Sequence, residues 1–338
     1  MANIDKVKYR TDERFAKVPE SNLKKYKKYL QSSIVNNPDV KETTYYTYQG
    51  NFELFLTWLA NEYDEDLDLY SEDFMDNAVD IMEGYMLFCQ ETLLNHKKTV
   101  NNKVAAVSSF YLWSAKRGLI KYHPFKDKLD RMKGANNESI INSYFLTEDQ
   151  IKTIRNELST NKKYNIQDRI LFEVSYDSAN RIGALEKLKL SSLDLDDMLF
   201  DDIREKRGKH VEVVFEEHAK ELINQWLEMR KDKYDKLECD SLLIVKRDGK
   251  YKPMGRAAIH GRMRKFGRII GIEDFRAHCM RKSRLNNVYE ETGDLSLAAD
   301  LANHESTETT RQSYIRKQSK SEVRDKINKL RNKKSEDI

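Results

Sequence analysis

Residues 277–314 read AHCMRKSRLNNVYEETGDLSLAADLANHESTETTRQSY. The stretch divides into three expected helices at about 277–292, 295–302 and 307–314. His278 and Arg281 lie three residues apart on the first piece and therefore share a face. His304 follows 23 residues after Arg281, and Tyr314 ten residues after that. Singly these are ordinary: HxxR arises often by chance, and a tyrosine near a helix end is usually packing. Upstream stand Arg181 in SANRIGALEKLKL and, 25 residues on, Lys206 in the tight turn KRGK, which also carries Lys209.

Working outward, that turn joins two strand candidates, MLFDDIRE and HVEVVF, and a third, SLDLD, precedes them. Helices are expected at about 166–178, 182–188, 216–231 and 255–269. Thr147 and Gln150 form a capping box that opens LTEDQIKTIRNEL. Towards the N-terminus, 22–32 reads as a short basic helix. Tyr45, Tyr48, Phe52, Phe55, Leu56 and Leu59 recur at three and four as the core face of another. Phe74, Val79, Ile81, Met82, Tyr85 and Leu87 mark a helix at about 71–94. Val104, Val107, Phe110, Tyr111 and Trp113 mark one from about Thr99 to a stop at Gly118. KYHPF is expected to restart a short helix with Pro124 in its first turn. RMKGANNESIINSY then loses periodicity and collects Gly, Asn and Ser, as a linker does.

The fold expected is mainly α with a small antiparallel β-sheet. Its parts are an N-terminal extension at 1–38, a helical domain at 39–133, a linker at 134–144, a second domain at 145–318 and a charged helix or tail at 319–338. The 338 residues suffice for two domains, and only 12 Gly and 4 Pro interrupt helix-favouring sequence. No apolar run is long enough to span a bilayer, so a soluble, cytoplasmic protein is expected. Cys89, Cys239 and Cys279 lie far apart without a CxxC pair, which fits neither a disulfide framework nor a zinc finger. Walker, GxGxxG, HExxH and GxSxG signatures are missing, and the 7 His lack metal-ligand spacing.

The net charge of +4 is modest but segregated. Residues 51–92 hold 12 Asp/Glu and no Lys/Arg, whereas 97–133 hold 10 Lys/Arg against two Asp, and 252–284 hold 10 Lys/Arg against Glu273 and Asp274. Two basic blocks in two domains suit a polyanion, with the acidic stretch turned away. Lys103, Arg117 and Arg131 of the first block, and Lys209 in the second domain, are candidate DNA contacts.

Arg181, Lys206, His278, Arg281, His304 and Tyr314, in that order, resemble the tyrosine recombinase, or phage integrase, family. TTYYTYQGNFELFLTWL and TVNNKVAAVSSFYLWSAKRGLIKYHPF look like helices of its core-binding domain, and SYFLTEDQI like the entry to its catalytic domain. The resemblance implies a helical core-binding domain plus a tyrosine-recombinase catalytic domain. It further implies a site-specific recombinase that cleaves and rejoins duplex DNA through a 3′-phosphotyrosyl intermediate. By that resemblance Arg181 and Arg281 are guanidinium clamps for the phosphate, whose transition state gathers charge on its non-bridging oxygens. Tyr314 is the nucleophile, His278 its base, and His304 a brace for the phosphate. Lys206 is the general acid for the departing 5′ oxygen, with Lys209 as the other alignment of the same turn.

No cofactor or metal is implied, since positioned cations stabilise the charge. The partners implied are double-stranded DNA, a homotetramer on paired sites, and accessory DNA-bending or directionality proteins of a phage or mobile element. The chain departs from the family pattern at Ala184, where Glu is common, at Asn303, where Gly is usual, and in the ten-residue spacing from His304 to Tyr314, where nine is more common. These departures leave open a DNA-binding regulator that keeps the fold without cleavage.

Overall fold

The computed structural model describes residues 8–36, 42–134, 144–204, 209–234 and 239–316, with isolated positions of the tail. Its chain divides into two compact units, Met1–Ile140 and Ile141–Ile338. The expected linker falls almost wholly outside the described residues, as does most of the charged tail.

The first unit contains helices α1 (Asp12–Phe15), α2 (Glu20–Asn36), α3 (Glu42–Trp58), α4 (Glu72–Glu91) and α5 (Lys97–Lys116). A π-helical turn at Leu59–Tyr63 extends α3. The three-and-four spacing of aromatics produces the core: Tyr26 stacks on Phe52 at 4.0 Å, Phe52 meets Phe110 edge-on at 5.0 Å, and Phe74 stacks on Tyr111 at 5.3 Å. Phe55, Ile81, Met82, Tyr85 and Val107 are buried with them, whereas Tyr48 and Leu87 of the expected core faces are exposed. KYHPF forms no helix. The backbone N–H groups of Phe125 and Lys126 donate instead to Nδ1 of His123, and Asp127 turns left-handed at φ 64°, which a right-handed helix cannot contain.

The second unit begins with α6 (Glu148–Thr160), opened by the Thr147–Gln150 capping box, and α7 (Ile166–Asp177), capped by Asn165. α8 (Ile182–Leu185) is shorter than expected. The chain after it is drawn off to pair elsewhere: Leu188 O accepts from Leu242 N, and Leu190 N donates to Asp240 O. β1 (Leu193–Asp194), β2 (Leu199–Arg204) and β3 (His210–Val214) form the expected antiparallel sheet in the order β1-β2-β3. Phe200, Ile203, Val211 and Val213 face its core side, with an irregularity in register between Phe200 and Ile203.

After α9 (Glu217–Tyr234) comes a hairpin that periodicity did not disclose, β4 (Ile244–Arg247) and β5 (Lys250–Pro253). Its signal was the pair Asp248–Gly249, both at positive φ, the geometry of a two-residue hairpin turn. α10 (Arg256–Ile269), α11 (Ala277–Thr292), α12 (Leu295–Leu301) and α13 (Thr307–Tyr314) complete the unit. Phe172, Phe200, Phe266 and Phe275 are fully buried in its core. At Gly267 the segment leading into α11 comes so close that an added Cβ would lie 2.2 Å from Ile272 O and from Phe275 Cβ. Glycine therefore sets where α11 starts. α11 packs on α7, α12 and α13, and these contacts assemble the site.

Candidate active site

The turn SANR leaves α7 through a left-handed residue, Ala179 at φ 49°. Ser178 Oγ donates back to Val174 O, and Asn180 Nδ2 donates to Glu212 O of β3 at 3.1 Å, so helix and sheet together fix the exit. Arg181 follows in extended conformation as the N-cap of α8, with its side chain exposed. Arg281 lies on α11, only 1% exposed. Its Nη1 donates to Ala179 O at 2.6 Å, and its Nη2 donates to Ala302 O at 2.7 Å and to His304 Nε2 at 2.8 Å. One guanidinium thus joins the exit of α7 to the turn after α12. Burying a charge is tolerated here because fixed acceptors surround it.

Tyr314 ends α13 and is 6% exposed. Its ring lies 5.2 Å from that of His278 and 4.8 Å from that of His304, and the Arg281 guanidinium carbon sits 5.1 Å from its centroid. Ala179, Leu285 and Ala302 form one buried cluster with Tyr314. Beyond the helix, Arg316 N donates to Asn286 Oδ1 at 3.0 Å and ties the chain to α11. Burial, then the cations Lys282, Arg281 and Arg181, hold the His278 imidazole down at about 4. Burial, then Arg281, Arg181, Lys209 and His278, do the same to His304, also to about 4. Both rings are therefore neutral at pH 7, and a neutral imidazole can accept a proton.

The sequence model of the phage integrase family matches residues 144–321, more than half the chain and the whole of this site. The chain belongs to the phage integrase family. It is 24% identical over 269 residues to tyrosine recombinase XerD of Lacticaseibacillus casei, covering 79% of this chain and 86% of that protein. With tyrosine recombinase XerC of Lactobacillus delbrueckii subsp. bulgaricus (strain ATCC BAA-365 / Lb-18) it shares 24% identity over 233 residues, 68% of this chain and 75% of that one. Its fold is that of solved recombinases. A lambda integrase dimer bound to a COC′ core site superposes with TM-score 0.62 at 14% identity, over 88% of this chain and 98% of that one. XerH bound to a palindromic difH substrate superposes with TM-score 0.62 at 17% identity, over 80% of this chain and 75% of that one.

Within this integrase fold five of the expected groups converge, namely Arg181, His278, Arg281, His304 and Tyr314. Lys206 lies outside the described residues. Lys209, at the entry to β3, donates to Asn303 O at 3.0 Å, beside His304. Of the expected DNA contacts, Arg117 and Arg131 are exposed, although Arg117 Nη2 also donates to Ser32 Oγ at 2.9 Å. Lys103 needs correction. It is 8% exposed on the inward face of α5, where its ammonium acts on the Cys89 thiol, so it is core and not a surface contact.

Sequence reading missed Thr310, whose Oγ1 lies 2.7 Å from His304 Nδ1, and Lys282, which is 4% exposed beside the site. It could not have found the Ala179 and Ala302 carbonyls, because backbone acceptors leave no trace in residue type. A separate open cavity of about 1370 Å³ lies between β2 and the β4–β5 hairpin, lined by Lys187, Arg204 and Lys252 but also by Asp201, Asp202 and Asp240. None of the converging groups lines it.

Proposed function

We propose that this protein is a site-specific recombinase that cleaves and rejoins duplex DNA through a 3′-phosphotyrosyl link to Tyr314. The observation that carries the reading is the packing of the Tyr314 ring against two neutral imidazoles and one guanidinium within a family match that spans the site. Tyr314 Oη attacks the scissile phosphorus, His278 takes the phenol proton, and the 5′ oxygen leaves as a hydroxyl once protonated by Lys206. Arg181 and Arg281 neutralise the charge that gathers on the non-bridging oxygens. The phosphotyrosyl bond conserves the energy of the phosphodiester, so the same 5′ hydroxyl can attack it and reseal a strand with no nucleotide consumed.

The basic blocks at 97–133 and 252–284 supply the attraction to the duplex. A tetramer on paired sites is the assembly that exchange of strands between two duplexes requires, and a lambda integrase tetramer bound to a Holliday junction has this fold. Accessory DNA-bending or directionality proteins would set the direction of the reaction.

The test is to incubate the protein with genomic DNA, trap covalent adducts under denaturing conditions and sequence the attached DNA. A nicked duplex carrying the recovered site should then yield a 3′ adduct with wild type and none with Tyr314→Phe, which retains binding. Tight binding to a specific site without any adduct would leave a DNA-binding regulator in place of a recombinase.

A further inference from the structure

We propose that Lys209 is a positioning residue: by holding the main-chain carbonyl of Asn303, it fixes the turn that aims His304 at the reacting phosphate. The inference rests on the recombinase reading above. Ala302, Asn303 and His304 form a turn closed locally by Asn303 N donating to Asp300 O and His304 N to Ala299 O, and held further by two side chains from elsewhere in the unit. Arg281 Nη2, from α11, donates to Ala302 O at 2.7 Å, and Lys209 Nζ, from the β2–β3 hairpin, donates to the next carbonyl, Asn303 O, at 3.0 Å. Two cations from two elements thus hold two successive carbonyls at the end of α12, where the helix dipole also favours positive charge.

Asn303 adopts φ 54°, a left-handed helix cap that asparagine tolerates better than most residues, and the two cations add to the local backbone bonds that close it. His304 follows directly, with Nε2 accepting from Arg281 and Nδ1 bonded to Thr310 Oγ1. A relaxation at Asn303 would rotate the imidazole out of both bonds. Ile203 and Val211, paired across β2 and β3 one step from Arg204 and His210, bury their side chains in the core, so the carbonyl is tied to an anchored sheet.

While its Nζ donates to Asn303 O, Lys209 is engaged by that carbonyl, and the role of general acid falls to Lys206 of the same KRGK segment.

The test compares wild type, Lys209→Met and Lys209→Arg in single-turnover adduct formation at saturating DNA. It uses two duplexes that differ only in having oxygen or sulfur at the bridging 5′ position, since sulfur leaves without a proton. Lys209→Met should slow both substrates by about tenfold or more with an unchanged sulfur-to-oxygen ratio, and Lys209→Arg should restore most of the rate, because the donor to the carbonyl is kept. In the free protein, Lys209→Met should also displace the ring resonances of His304, and Lys209→Arg should return them.

Selective rescue of Lys209→Met by sulfur would make Lys209 the acid and overturn the proposal. A loss confined to DNA affinity, with the saturated rate unchanged, would make it a phosphate contact instead. Undisturbed His304 resonances in Lys209→Met overturn it too, and this measurement decides even if wild type forms no adduct, a result that would count against the recombinase reading alone.

Discussion

Arg281 donates from Nη2 to Nε2 of His304 across 2.8 Å, and because a guanidinium has only donors, the imidazole must present its lone pair there. The ring proton then sits on Nδ1 and points at Thr310 Oγ1, 2.7 Å away. His304 in this DNA-free arrangement is an acceptor. For it to donate to a phosphate, the anion must first compete for Arg281 or the ring must gain a proton.

Both imidazoles should titrate well below the ordinary histidine range in the free protein, at about 4. Their folded pKa lies below the unfolded value of about 6.5, so the stability they contribute is present above that pH and is lost as pH falls towards 4. Thermal unfolding followed from pH 7 to pH 4 should show this loss, and His278→Gln should reduce it. Binding of duplex DNA should move both NMR titrations upward, since phosphate oppositely charged to the imidazolium offsets the surrounding cations. Midpoints near 6.5 in the free protein would contradict the assigned surroundings.

Removing Arg281 should cost stability as well as chemistry. Arg281→Ala leaves the Ala179 and Ala302 carbonyls without their donor and opens a cavity under Tyr314, at a cost of about 2–5 kcal/mol. Arg281→Lys keeps the charge but lacks the fork that reaches both carbonyls. Denaturant unfolding should rank wild type above Lys above Ala. Tyr314→Phe should unfold close to wild type, so that its loss of adduct can be read as chemistry.

Asp177 carries an unspent cost. Burial, followed by the neighbouring Glu216 and Glu173 carboxylates, lifts its carboxyl to about 7 against the Glu216 N–H that donates to it at 3.0 Å. A raised carboxyl holds its proton in the folded state where the unfolded chain has released it, so this group lowers stability as pH rises from about 4 through 7. Asp177→Asn should therefore raise Tm at pH 8, by the equivalent of about 1–4 kcal/mol, and change it little at pH 4. Equal shifts at both pH values would show that ionisation is not the cause.

Among the described glycines of the second unit, Gly267 should tolerate an added methyl least. The new Cβ would meet backbone and core atoms at 2.2 Å, and neither Ile272 O nor Phe275 Cβ lies at the end of a flexible chain. A loss of about 3 kcal/mol or more is expected, with α11 displaced and adduct formation reduced in the protein that still folds. A Gly267→Ala variant with wild-type Tm would refute the close approach.

DNA affinity should fall steeply with salt through the exposed cations of the basic blocks. Arg117→Ala and Arg131→Ala should each lower the salt slope by about one while leaving stability nearly unchanged. Lys103→Met should leave the slope intact, because Lys103 is buried. Slopes and melting curves measured on the three variants separate the two classes.

Apolar spacing made legible the helices whose pattern is long and regular and the strands on either side of KRGK, because local periodicity is a property that any single chain displays. The sequence showed the order of groups from Arg181 to Tyr314 only through its resemblance to the integrase family. It misread KYHPF, where a side chain caps the turn that a helix would have used, and passed over the β4–β5 hairpin, whose strands are rich in Lys and Arg. Tertiary structure alone decided that Lys103 faces the core and that Lys209 reaches Asn303. It also decided that Arg281 is spent on two carbonyls, and that His304 accepts where a phosphate ligand would donate. The reason is physical: a side chain's role depends on which acceptors and charges surround it, and here those belong to α7, α12 and the sheet, dozens of residues away along the chain.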